Sequence, residues 1–120
     1  MTATGSQSQA TTTNSIGRDE LLAVVRADAV TIVDALPAHA YAVRHLPRAV
    51  NLVQDSPTGL VQSTLPDATA TIVTYSTDQH CQRGRDLAQR LRDLGYAKVR
   101  HYADGIEDWV RHGLPVEAGS

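Results

Sequence analysis

Residues 70–95 read ATIVTYSTDQHCQRGRDLAQRLRDLG, and this stretch decides the fold. It opens with Ala70-Thr71-Ile72-Val73-Thr74-Tyr75, a β-branched run of strand length. Six polar or small residues follow, Ser76-Thr77-Asp78-Gln79-His80-Cys81. Then Leu87, Ala88, Leu91 and Leu94 recur at helical spacing, with Arg83, Arg85, Arg90 and Arg92 off that stripe. Gly95 follows directly and suits a left-handed C-terminal cap. The segment is a strand, a polar loop and a helix, with the loop at the strand's C-terminal end.

The same two textures alternate on either side. Val30-Thr31-Ile32-Val33, Ala49-Val50-Asn51-Leu52 and Lys98-Val99-Arg100-His101-Tyr102 are further strand-like runs. Asp19 and Glu20 stand before Leu21, Leu22, Val24 and Val25, which is an acidic first turn followed by an apolar stripe. The spacing predicts a last helix with Asp104 as N-cap and Glu107 in capping-box position. Ile106, Trp109 and Val110 form its buried face, and Gly113 and Pro115 end it. Strand–helix–strand alternation with short links implies parallel strands and right-handed crossovers. The expected class is α/β, with helices on both faces of a mainly parallel sheet. Ligands of such sheets sit beyond the C-terminal strand ends, which directs attention to the loop 76–81.

Composition bounds the function. The 120 residues suffice for one domain, and 42% hydrophobic with 20% charged residues is a foldable balance. With no Phe, one Trp and four Tyr, the core has to be aliphatic. A net charge of −2 gives no electrostatic footprint for nucleic acid. One cysteine excludes an intrachain disulfide and a cysteine-based structural zinc site. His39, His45, His80, His101 and His112 show no paired ligand spacing, so neither a metal nor a cofactor is expected. No apolar run is long enough to span a membrane. Residues 1–14 are uncharged and polar, and are expected to form a disordered tail without signal-peptide character. The folded part is expected over 15–117, with 118–120 as a loose C-terminus, in a cytoplasmic protein of undetermined oligomeric state.

The chain resembles the rhodanese-like domains over residues 15–117. Asp34, Ala38-His39-Ala40-Tyr41, His45-Leu46-Pro47 and Ala49-Val50-Asn51 are similar to that family's first signature. Thr71–Tyr75 is similar to the strand before its active loop. Gly95-Tyr96, Val99, Tyr102, Gly105, Trp109 and Gly113-Leu114-Pro115-Val116 are similar to its C-terminal signature. The resemblance implies a three-layer fold around a five-stranded, mainly parallel sheet. It also implies, for active members, a loop cysteine that takes sulfur from a donor such as thiosulfate and passes it to a thiophilic acceptor such as cyanide.

This sequence departs from the pattern at the nucleophile. Ser76 stands where active members carry cysteine, and a hydroxyl forms no stable persulfide. Cys81, the only cysteine, is the sixth loop residue. Leu36 stands for the usual arginine after Asp34, and Arg44, Arg48 and Asp104 stand for glycines. A phosphatase reading of the same fold needs Cys-x5-Arg, and the sixth residue after Cys81 is Leu87. The candidate chemistry therefore lies in Cys81, beside a helix N-terminus, Arg83 and Arg85. The alternative for Cys81 is a half-buried packing residue. Thr77, Asp78, Gln79, His80, Arg83 and Arg85 are the candidate binding residues, for a small sulfur-containing anion or a protein partner. Ser76 is expected to hydrogen-bond within the loop, His45 to bond backbone near the site, Asp34 to cap a turn and Trp109 to sit in the core. Two functions follow: a degenerate module without standard thiosulfate sulfurtransferase activity, or an atypical sulfur carrier using Cys81.

Overall fold

The computed structural model describes residues 14–119. The expected tail therefore lies outside the described residues, apart from Asn14, which is exposed. In chain order the elements are α1 (Arg18–Arg26), β1 (Thr31–Asp34), α2 (Ala38–Val43), β2 (Val50–Asn51), α3 (Thr58–Thr64), β3 (Ile72–Tyr75), α4 (Arg83–Asp93), β4 (Val99–Tyr102) and α5 (Gly105–Arg111). The strands form one parallel sheet in the order β2-β1-β3-β4. Each strand's side chains alternate between two cores. One core holds Leu21, Val25, Ile32, Val73, Tyr75, Tyr102, Ile106 and Trp109, against α1 and α5. The other holds Val33, Val61, Ile72, Leu87, Leu91 and Val99, against α3 and α4. The expected α/β architecture with helices on both faces is what is observed.

Trp109 is fully buried, edge-on to Tyr102, and its indole N–H donates to the Pro115 carbonyl at 2.7 Å. The Gly95 cap is present as a Schellman motif. Tyr96 N–H donates to Leu91 O at 3.0 Å, and Gly95 N–H to Arg92 O at 3.0 Å.

Three expectations need correction. The sheet has four strands among the described residues, not five. Ser15 touches the outer edge of β4 in a single parallel bridge to His101, with Ile16 N–H donating to His101 O at 3.2 Å. Gly17 already caps α1, so the chain turns into a helix before a strand can extend. The capping box at Asp104 does not form. The first N–H groups of α5 are taken instead by loop carbonyls, and the Glu107 carboxylate pairs with Arg44 at 2.5 Å. Ala118-Gly119, read as a loose end, is held to the body. Glu117 bridges His45 in antiparallel fashion, and Gly119 N–H donates to Ala42 O at 2.8 Å. No helix among the described residues is long and apolar enough to cross a membrane.

Candidate functional site

The loop 76–81 leaves the C-terminal end of β3, a central strand, and is clamped between two helices. On one side the first turn of α4 is pressed onto the strand ends. Thr74 Oγ1–H donates to Gly84 O at 2.8 Å. A Cβ on Gly84 would lie 2.9 Å from both the Tyr75 carbonyl carbon and His101 Nε2. On the other side Gly105, at φ +72°, lets α5 approach so closely that a Cβ there would lie 2.4 Å from Thr77 O. Ile106 N–H and Glu107 N–H then donate to Ser76 O and Thr77 O at 2.9 and 3.0 Å.

Within the clamp the loop folds back on itself. Asp78 makes the turn: its Oδ1 accepts His80 N–H at 2.9 Å and its carbonyl accepts Cys81 N–H at 3.1 Å. Residue 81 thereby returns to residue 76. Ser76 is 1% exposed, and its hydroxyl reaches the Cys81 carbonyl at 3.4 Å.

The fold-back leaves the Cys81 thiol half-buried. Burial pushes that thiol up. The Ser76 hydroxyl, the backbone N–H groups of Arg83 and Thr77 and the Thr77 hydroxyl outweigh it, and the thiol is held below the ordinary cysteine value. Hydrogen bonds to the charged form do this, with Arg83 acting through its backbone N–H.

The loop meets three surface clefts. Gln79, His80, Cys81, Gln82 and Arg85 line a cleft of about 360 Å³ on the α4–β4 side, together with His101 and Ala103. Thr77 faces a different, apolar cleft with Leu36, Val43 and Ile106. Asp78 faces a third with Asp104, Asp108 and Arg111. The predicted binding residues are thus divided among three surfaces, and Arg83 lines none of these clefts. Sequence reading did not place His101 beside the loop, where it lines the same cleft as Cys81. Its signal was positional: His101 pairs in register with Thr74 and shares the α4 face of β4 with Val99.

Asp34 and His45 stand behind the loop. Asp34 is fully buried; Oδ1 accepts Leu36 N–H at 2.8 Å and Oδ2 accepts the Tyr75 hydroxyl at 2.6 Å. Burial raises its carboxyl above the ordinary aspartate value, an effect those hydrogen bonds only partly offset. Tyr75 Oη in turn accepts Leu46 N–H at 3.0 Å, which ties the His-Leu-Pro segment to β3. His45 Nδ1–H donates to Tyr41 O at 2.8 Å.

A sequence profile of the rhodanese-like domain matches residues 17–112. The Mycobacterium tuberculosis protein named HTH-type transcriptional regulator Rv0324 is 33% identical over 109 residues, 89% of this chain and 46% of that protein. The chain thus spans about half the length of this curated relative. Among solved structures, the BH2092 protein from Bacillus halodurans superposes with a TM-score of 0.88 at 20% identity, over 97% of this chain and 85% of that one. The human single-domain sulfurtransferase TSTD1 superposes with a TM-score of 0.69 at 19% identity, over 81% of this chain and 95% of that one. These structures share the fold, and the profile covers the strand, loop and helices described above. The chain belongs to the rhodanese-like domain family.

Proposed function

We propose that this protein is a sulfurtransferase-like module whose reactive atom is the Cys81 thiol, and that it lacks the standard thiosulfate:cyanide reaction run from the first loop position. The observation that carries this reading is the fold-back of the loop, which returns the half-buried Cys81 to the buried Ser76, whose hydroxyl lies 3.4 Å from the Cys81 carbonyl. The Ser76 hydroxyl is turned to the Cys81 backbone, so the residue at the family's nucleophile position holds the sixth loop residue in place instead of reacting. In the sulfur-loading step the Cys81 thiolate attacks the outer, sulfane sulfur of a donor such as thiosulfate or a polysulfide. A new S–S bond forms at Cys81 as the donor's S–S bond breaks. Sulfite or the shortened polysulfide leaves with the bonding electron pair. An acceptor thiolate then takes the outer sulfur and releases the Cys81 thiolate.

Intact mass after exposure to thiosulfate and, separately, inorganic polysulfide tests the reading. The expected result is a gain of one sulfur atom, removed by dithiothreitol and absent in Cys81→Ser. No gain from either donor overturns it.

A second reading is a module that binds a sulfur anion or a protein partner without turnover. It is favoured by the resemblance to a mycobacterial transcriptional regulator about twice the aligned length. In such a setting Cys81 would register a sulfur species instead of passing it on. Stoichiometric persulfidation with no catalytic transfer to cyanide or glutathione supports this reading, and multiple turnovers exclude it.

A further inference from the structure

We infer that His101 is an acid-sensitive latch between β4 and the first turn of α4: a proton on its imidazole loosens that turn and, with it, the base of the loop 76–81. The latch acts on the position of the loop, whatever Cys81 carries.

Three segments meet at Gly84, in the first turn of α4. A Cβ there would lie 2.9 Å from His101 Nε2, 2.9 Å from the Tyr75 carbonyl carbon and 3.1 Å from Ser76 N. The imidazole on β4 and the peptide that leads into the loop therefore share one helix contact. The turn is also fastened to β3, by Thr74 Oγ1–H donating to Gly84 O at 2.8 Å, and Thr74 pairs in register with His101. Gly84 is buried, so a change in the ring is passed directly to the turn.

His101 Nε2 is buried and has no hydrogen-bond partner among the described residues. An unpaired lone pair there is the lesser cost. A proton would press an N–H without an acceptor, and the charge of the imidazolium, against the helix. The neighbours supply nothing to offset that charge. From α4 the groups that bear on the ring are Arg85 and Arg92, both cations. From the loop, His80 and Cys81 share its cleft, which no carboxylate lines. Asp86 of α4 pairs with Arg85 at 3.9 Å. Thr74 of β3, Ser15 and Ile16 also meet His101, and none of them titrates. Burial, with the two arginines, holds the imidazole below the ordinary histidine value. A histidine lowered in the folded state binds its proton more readily once the turn has opened. Closure of the turn is therefore strongest above the ordinary value of about 6.5 and weakens as pH falls below it, until the folded value is passed.

Backbone hydrogen exchange of Asp86 and Leu87, corrected for the pH dependence of the intrinsic rate, reads the turn. Between about pH 7.5 and about pH 5.5 their protection is expected to fall about threefold or more in the wild type, beyond any change in α1. His101→Leu, which keeps an apolar side chain in the contact and cannot titrate, is expected to remove that loss. Arg85→Glu, at a side chain that is 62% exposed, exchanges a cation for a carboxylate and is expected to shrink it. In the wild type, NMR titration of the His101 ring should carry the Gly84 and Ser76 amide resonances with it, which needs no substitution to fold. Protection that is equal at both pH values, or an acid loss that persists in His101→Leu, overturns the latch. A ring titration that leaves the Gly84 and Ser76 amides unmoved overturns it as well. An acid loss that Arg85→Glu leaves unchanged removes the arginine and keeps His101.

Discussion

At the scale of single residues, the acids of this chain divide by environment. Asp108 is nearly buried, yet Tyr102 Oη–H donates to it at 2.5 Å and Arg18 at 3.1 Å. Burial raises its carboxyl, and these partners outweigh burial to leave it below the ordinary aspartate value. A carboxyl lowered in the folded state adds stability that is full above the unfolded value. That stability is lost as pH falls through the folded one. Asp108→Asn should therefore cost about 1–3 kcal/mol at pH 7, from the loss of hydrogen bonds to a charged group. The cost should shrink below about pH 4. Urea denaturation of both proteins at pH 7 and pH 3 checks this; an equal cost at both would contradict it. The glycine replacements also resolve at this scale. Arg44 is extended at φ −166°, so no glycine is needed there. Arg48 does sit at φ +60°, held by Val25 O at 3.0 Å and by Asp28 at 3.3 Å.

At the scale of elements, the loop's shape is set by how closely two helices approach it. Gly105→Ala would bring a methyl group within 2.4 Å of a backbone oxygen at a left-handed residue. Left-handed strain plus displacement of the loop should cost about 2–4 kcal/mol. A midpoint of chemical denaturation unchanged by the substitution would mean that α5 does not clamp the loop. The strand–loop–helix pattern of 70–95 was legible because β-branched runs and the Leu87–Leu94 stripe have different periods. The clamp was not legible, since no periodicity records which N–H groups of α5 the loop carbonyls will take. Asp104 and Glu107 matched a capping box in spacing, but tertiary partners claimed both ends of that motif. The loop also predicts what a transplanted nucleophile would meet. Ser76→Cys combined with Cys81→Ser places the only thiol at the first position, between Tyr75 and the Thr77 backbone. This double variant should show thiosulfate:cyanide activity above that of Cys81→Ser alone. Equal activities would show that the first position is no longer a sulfur cradle.

At the scale of the whole molecule, the two cores follow from side chains alternating across four short strands whose runs are visible in the sequence, whereas the order β2-β1-β3-β4 comes from the structure. The four strand-like runs read from the residues are the four strands observed; the fifth was implied by the family resemblance alone, and Ser15 makes only a single bridge to β4. The surroundings of the loop were legible only in part. Cys81 stood out by chemistry and position, whereas His101 lay in an ordinary strand and became visible only once Gly84 brought α4 against it. The central claim of the proposed function is that Ser76 and Thr77 support the thiol of Cys81, toward whose carbonyl the Ser76 hydroxyl is turned at 3.4 Å. The pH dependence of Cys81 alkylation by iodoacetamide tests that claim most directly, read in the wild type, Ser76→Ala and Thr77→Val. The account predicts a wild-type midpoint below the reference of about 8.5, rising toward or past it in both variants. A wild-type midpoint at or above that reference, or one that neither substitution moves, would contradict it.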